Sequence, residues 1–414
     1  MRRFVCALAL AGWLSQGAFA GENWPEFRGP HADGHSSAKN LPAEFSDTEN
    51  VKWKTPIHGR AWSSPVIWGK QIWLTTAPED GKERSALCID LDSGKILRDI
   101  LVYEVAKPEF INPMNSYATP TPAIEEGRVY VHFGSVGTAA IDTNTGKILW
   151  SRQDLPCDHF RGAASSPVIY KDRLILTFDG FDHQYVAALD KNTGETLWKK
   201  DRDIEYGTPD GDAKKGYSTP AIIEVDGQPQ VISPAAVATI AYSPLNGDEI
   251  WKLRHGGMNA SARPLYGHGV VLITAGTAGK VFAVHPNGRG DVTDTKVEWK
   301  STQAVPTRSS QLLIGDLLFM VSDAGIASCV DATTGEQIWQ HRLQGKYSAS
   351  PIYADGKIYF VSEEGFVPVI EPAKEFKLLA ENKLGDGFMA SPAATDHELI
   401  LRSRTHLYRI EKTK

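Results

Sequence analysis

With 414 residues and a net charge of −6, the chain is long enough for two or three ordinary domains or for one closed repeat array. It has no basic stripe interleaved with aromatics, which excludes nucleic acid as the expected partner. Its 24 prolines and 37 glycines are spread along the chain, so a low-complexity disordered protein is excluded too.

Residues 1–20 read as a signal peptide. Arg2 and Arg3 precede an apolar run, and Ala18-Phe-Ala20 supplies a small-x-small cleavage site. The apolar run is shorter than the roughly 20 residues a membrane span needs. The expected location is therefore periplasmic or secreted, with cleavage after Ala20. Cys88, Cys157 and Cys329 remain; Cys88 and Cys329 hold equivalent repeat positions, which predicts buried thiols and no disulfide framework. With no Cys-x-x-Cys, neither c-type haem nor a thiolate zinc site is expected.

Residues 21–50, which include Trp24-Pro-Glu-Phe-Arg-Gly-Pro30, are expected to form an extended arm on the domain surface. Residues 51–57 form an isolated strand carrying Trp53. Beyond it a landmark recurs: a blade-start Pro followed by short apolar runs and tight turns. It occurs at Pro65, Pro122, Pro167, Pro220, Pro264, Pro351 and Pro392, with a degenerate copy at Gln311, spaced by 40 to 57 residues. A strand can begin with Pro because its missing N–H need not join the ladder. Each unit also holds a second landmark, seen in Ala140-Ile-Asp-Thr-Asn-Thr-Gly-Lys-Ile-Leu-Trp150. There Asx and Gly chemistry turns the chain between two strands, and an aromatic ends the second.

Four-stranded units of this period, alternating with period two, exclude a helical solenoid. They predict an all-β fold, an eight-bladed β-propeller of four-stranded antiparallel blades over residues 51–412. The last unit is one strand short, so the N-terminal strand is expected to complete it and close the ring. The polar excursions at residues 104–116 and 202–216 are expected on the rim. Asp210-Gly-Asp212 and Asp179-Gly-Phe-Asp182 lack the ligand spacing of a calcium loop, and no metal is predicted.

The unit Ala-x-Asp-x-x-Thr-Gly-x-x-x-Trp resembles the repeat of the pyrroloquinoline-quinone (PQQ) propeller superfamily. The resemblance spans residues of about 50–412 and implies that each terminal Trp docks on the Gly turn of a neighbouring blade. It rests on Gly146 and Trp150, Gly194 and Trp198, Gly247 and Trp251, and Gly335 and Trp339, with Trp53 and Trp299 matching at the Trp alone. Arg98 replaces Trp in the first unit, which predicts a weaker junction there. One branch of the superfamily holds PQQ with calcium, stacked on a disulfide of adjacent cysteines. This chain has no adjacent cysteines. Its size and blade count look more like the other branch, the scaffold lipoprotein of outer-membrane β-barrel assembly, which has no cofactor.

Inner strands line a propeller's channel, so the segments before each blade-start Pro supply the candidate site. These place Arg60, Trp62, Asn115, Tyr117, His159, Arg161, Tyr217, Asn259, Arg263, Arg308 and Tyr347 at the funnel. Guanidinium, amide and aromatic groups converging on one mouth would suit an anionic or carbohydrate-like ligand, or an extended peptide. Rim strands could accept a partner's strand. The scattered histidines form no catalytic constellation, so no catalytic residue is assigned. The expectation is a monomeric, non-catalytic binding or assembly scaffold of the cell envelope. The alternative is an oxidoreductase holding PQQ in the funnel.

Overall fold

The computed structural model describes residues 22–413, so the predicted signal peptide lies outside the described residues. Short antiparallel strands account for nearly all regular structure, grouped into eight sheets. In chain order they are blade 1 (66–104), blade 2 (123–152), blade 3 (168–201), blade 4 (221–254), blade 5 (265–301), blade 6 (312–342), blade 7 (352–383) and blade 8 (393–410). Blade 8 takes its fourth strand from Val51–Pro56, which pairs antiparallel with His406–Ile410. The ring is closed by this strand from ahead of blade 1, as the missing unit implied.

Burial follows position within a blade. The second and third strands are covered on both faces, so Leu317–Val321 and Ile326–Asp331 are almost wholly buried and rich in β-branched and aromatic residues. The outermost strand has one face in water; Thr196–Asp201 buries only Trp198. Apolar clusters lie between blades. One joins blades 1 and 2, another 5 and 6, and the largest ties blades 7, 8 and 1 to Trp24, Leu41 and Phe45 of the N-terminal arm.

A register shift interrupts the last strand pair of every blade, as at Ala188/Leu189 and Cys329/Val330. A bulge there turns the following side chain out of the pleat toward the next blade. Nε1 of Trp53, Trp150, Trp198, Trp299 and Trp339 donates to a carbonyl of the neighbour's turn, at Leu91, Lys191, Pro244, Ala332 and Ala373, over 2.9–3.0 Å. The turn glycines Gly94, Gly194, Gly247 and Gly335 lie under four of these indoles with positive φ, where a Cβ would strike the ring. Arg98 performs the same reach, donating to Asn144 O above Gly146. The junction expected to be weak is bridged by a guanidinium.

Trp251 departs from the expected docking. Its indole is wholly buried and donates at 2.8 Å to Gln230 of its own blade. Blade 5 has a longer turn here, and its Gly290–Asp291 segment adds a parallel strand beside Trp251 and Lys252. That backbone occupies the docking place, and Gln230 carries the contact onward to Pro286 O at 3.0 Å.

The arm also departs from expectation. It does not lie on the outer surface but crosses the channel. Trp24 exchanges hydrogen bonds with Ile67 of blade 1, and Pro25 O accepts from Ile124 of blade 2. Glu26 and Phe27 are held by Arg263 at the head of blade 5. Arg28 then donates to Gln311 O and Pro351 O at the heads of blades 6 and 7, and His35–Ser36 pairs parallel with blade 7. The arm closes one end of the channel.

Candidate functional site

Closing one end leaves a cavity of about 370 Å³ on the channel axis, open at the face that carries the inter-blade loops. Its floor is Phe27 of the arm. Its wall begins with the blade-start residues, and these form a ring of hydroxyls. Ser64 N donates to Thr121 Oγ1, Thr121 N to Ser166 Oγ, and Ser166 N to Thr219 Oγ1, each over 2.9–3.0 Å. The ring resumes from Arg263 N to Ser310 Oγ, then Ser350 and Ser391, and returns from Ser391 N to Ser64 Oγ. It breaks once, after Thr219, because Arg263 has no hydroxyl there. Its guanidinium bonds Pro220 O at 3.1 Å and clamps the arm through Phe27 O and the Glu26 carboxylate, the latter at 2.9 Å. Every hydroxyl of the ring accepts an N–H, and none donates its own proton to a protein group among the described residues.

Above the ring, the candidate residues divide. Trp62, Asn115, Arg161, Tyr217, Asn259 and Arg308 line the cavity. Trp62 is fixed by its Nε1 bond to Met114 O at 2.9 Å, with the guanidinium groups of Arg60 and Arg404 over its ring. Asn259 is held at φ 57 by its N–H bond to Lys215 O. Arg161 pairs with Asp212 at 3.1 Å, and Asp212 also accepts from Lys215. Lys215 has no exposed side-chain surface; burial and the nearby Arg161 bring its ammonium down to about 8. Across the mouth, Arg308 pairs with Asp323 at 2.9 Å and Glu363 at 3.1 Å.

The other five candidates lie elsewhere. Arg60 backs Trp62 and reaches Pro113 O on the rim. Tyr117 packs beneath the Arg84 guanidinium, 4.6 Å away, and donates to Glu109 O. His159 is buried against Phe178, and burial lowers it to about 4. Arg263 holds the arm at the closed end. Tyr347 is wholly buried and donates to Gln344 O at 2.9 Å. A position before the blade-start Pro therefore brings a residue near the axis without deciding which way its side chain turns.

Sequence reasoning missed the lip beside the cavity. Phe110, Phe160 and Phe181, from three different loops, pack in a row as tilted rings with centroid separations of 6.0 and 5.5 Å. With Met114 they are exposed by 64, 37, 39 and 52 % in chain order of Phe110, Phe160, Phe181 and Met114, unusual for large apolar side chains placed side by side. Their loops, residues 105–122, 153–167 and 180–183, carry four acidic and two basic side chains. The available signal was Phe110 in the polar excursion 104–116; Phe160 and Phe181 lie outside both excursions.

Two segments, 101–200 and 291–374, match the family model described as outer membrane protein assembly factor BamB. The structure is similar to BamB from Moraxella catarrhalis (TM-score 0.64, 15 % identity, covering 87 % of this chain and 99 % of that one). The fold is an eight-bladed β-propeller. The same propeller is similar to a europium-containing methanol dehydrogenase (TM-score 0.67, 12 % identity, covering 93 % of this chain and 90 % of that one). It is also similar to the quinohemoprotein alcohol dehydrogenase from Comamonas testosteroni (TM-score 0.67, 11 % identity, 95 % of this chain and 81 % of that one). No curated protein matches the chain. No helix among the described residues is long and apolar enough to cross a membrane.

Proposed function

We propose that this propeller is a non-catalytic binding scaffold of the cell envelope, exported through residues 1–20 and presenting its open face to a partner protein. The observation that carries this reading is the exposed aromatic lip of Phe110, Phe160 and Phe181 beside the cavity. Aromatic side chains clustered at a water-exposed rim are the composition of interface centres. Its acidic loops would favour a partner segment with basic residues. The family model that two segments of the chain match is described as an outer membrane protein assembly factor, which agrees with such a role.

The rival reading, a quinoprotein oxidoreductase, draws on the fold shared with the two dehydrogenases. PQQ is a flat tricarboxylate and would need free cations around a stacking slot, with unengaged carboxylates for calcium. The guanidinium groups at the cavity are already engaged by Asp212, Asp323 and Glu363. Asp323, the acid on the cavity wall, accepts from Thr307 and Arg308. The three described cysteines are buried singly and line no part of the cavity. These residues do not fit PQQ with calcium.

The test is capture from envelope extract with the purified protein as bait. The double substitution Phe110→Ser and Phe181→Ser should abolish capture, while Arg161→Ala, at the cavity, should leave it. Capture that survives the double substitution removes the lip from the reading. A separate titration with PQQ and calcium is expected to show no saturable binding; stoichiometric binding would establish the rival.

A further inference from the structure

The cavity itself has a chemistry that the lip does not explain. Three cations at its mouth, Arg161, Lys215 and Arg308, face three carboxylates, Asp212, Asp323 and Glu363, in direct pairs. Among the described residues that line the cavity, an anion would find no cation without a carboxylate partner, and a cation no carboxylate without a guanidinium; Arg60 and Arg404, which have no carboxylate partner, lie against the Trp62 ring. Below them lies the ring of hydroxyls whose oxygens are fixed as acceptors of backbone N–H groups, leaving protons able to donate inward. Asn259 adds an amide whose buried Oδ1 has no protein partner among the described residues, whereas the Asn115 amide is bound to Arg161 O and Thr119. Phe27 below and Trp62 and Tyr217 at the sides supply aromatic surface. At about 370 Å³ the volume is that of a small-molecule site.

We propose that this cavity binds a neutral saccharide, a mono- or disaccharide unit, with a C–H face of the sugar on Phe27 and its hydroxyls on the serine and threonine ring. A neutral polyol matches every property at once. Its ring face is apolar, its edge both donates and accepts, and it carries no charge to disturb the paired mouth. The arm is part of the site, since without Phe27 the channel has no floor. Binding here is recognition without chemistry, and it is independent of the lip.

Calorimetric titration of the purified protein with cellobiose, maltose and chitobiose, beside gluconate and inorganic phosphate, tests it. At least one neutral disaccharide should saturate at one per chain and change the Trp62 fluorescence, whereas the two anions should not bind. Ala164→Trp, which fills the cavity from its wall without removing a hydrogen bond, should weaken binding at least about tenfold. Met389→Phe fills it from another side and serves if the first variant misfolds. The Phe110→Ser and Phe181→Ser variant should bind the sugar unchanged, so failure of the scaffold reading and failure of this one are told apart. The proposal is overturned if no neutral saccharide binds at about 10 mM, a threshold for even weak specific sites. It is equally overturned if only the anions bind, or if both cavity-filling variants bind as the parent does.

Discussion

Single residues in this propeller reveal most through what burial does to their charge. His132, His159 and His255 are buried, and burial lowers them to about 3, 4 and 4. In the unfolded chain each titrates near the ordinary value of about 6.5. Between those values the unfolded state binds more protons, so stability falls as pH falls through that window. Each histidine contributes a slope of about 1.4 kcal/mol per pH unit. Urea midpoints should therefore drop steeply from about pH 6.5 to about pH 4.5, and His255→Gln should flatten the slope by one proton. A midpoint independent of pH over that range would contradict the burial argument. Arg263 offers a second residue-scale test. It is 1 % exposed and paired with a largely buried Glu26, so Arg263→Ala should cost about 3–5 kcal/mol by stranding that carboxylate. Limited proteolysis should then cut the arm first; an arm as resistant as the parent's would show that Arg263 does not hold it.

At the scale of elements, the turn glycines separate two effects. Gly194 and Gly227 both have positive φ, at 78° and 73°. A Cβ at Gly194 would lie 2.7 Å from the Trp150 ring, whereas at Gly227 it would meet open space. Gly227→Ala should cost about 1 kcal/mol from backbone strain alone. Gly194→Ala should add overpacking of about 1–3 kcal/mol against the neighbouring blade. Equal losses in thermal denaturation would mean that the indole contact carries no energy. The bulge before each Trp makes this contact possible, and it was not legible in the sequence because a register shift leaves no residue signature of its own. Trp251 was misread for a different reason. Its spacing matches the others, but the extra strand that displaces it arises from the next blade's longer turn.

At the scale of the whole molecule, blade number and closure could be read from the chain. Prolines at strand starts and Asx-Gly turns between strands act locally, within one unit. The site was legible only in part, since Trp62, Asn115, Arg161, Tyr217, Asn259 and Arg308 reach the cavity while His159, Arg263 and Tyr347 turn away into packing or the arm. Position before Pro is a local property, but side-chain direction depends on the neighbouring blade and on the arm. The arm was illegible because its partners are remote: Arg28 bonds Pro351 O across 323 residues. Ring closure makes its own prediction. A chain beginning at His58 would leave His406–Ile410 as a bare edge and should self-associate. A monomer of unchanged melting temperature, by size exclusion and calorimetry, would refute the closure argument.

The arm that crosses the channel has a temporal consequence. Its contacts reach blades 1, 2, 5, 6, 7 and 8, and the strand after it pairs with the last strand of blade 8. The segments that leave the ribosome early thus have partners that emerge late. Blades 2 to 6 can assemble from neighbouring sequence, but the floor of the cavity must wait for nearly the whole chain. Contacts of such separation are slow to form. Until they form, the nascent propeller has an open channel and two unpaired edges, and its cavity comes into being in the final event of folding.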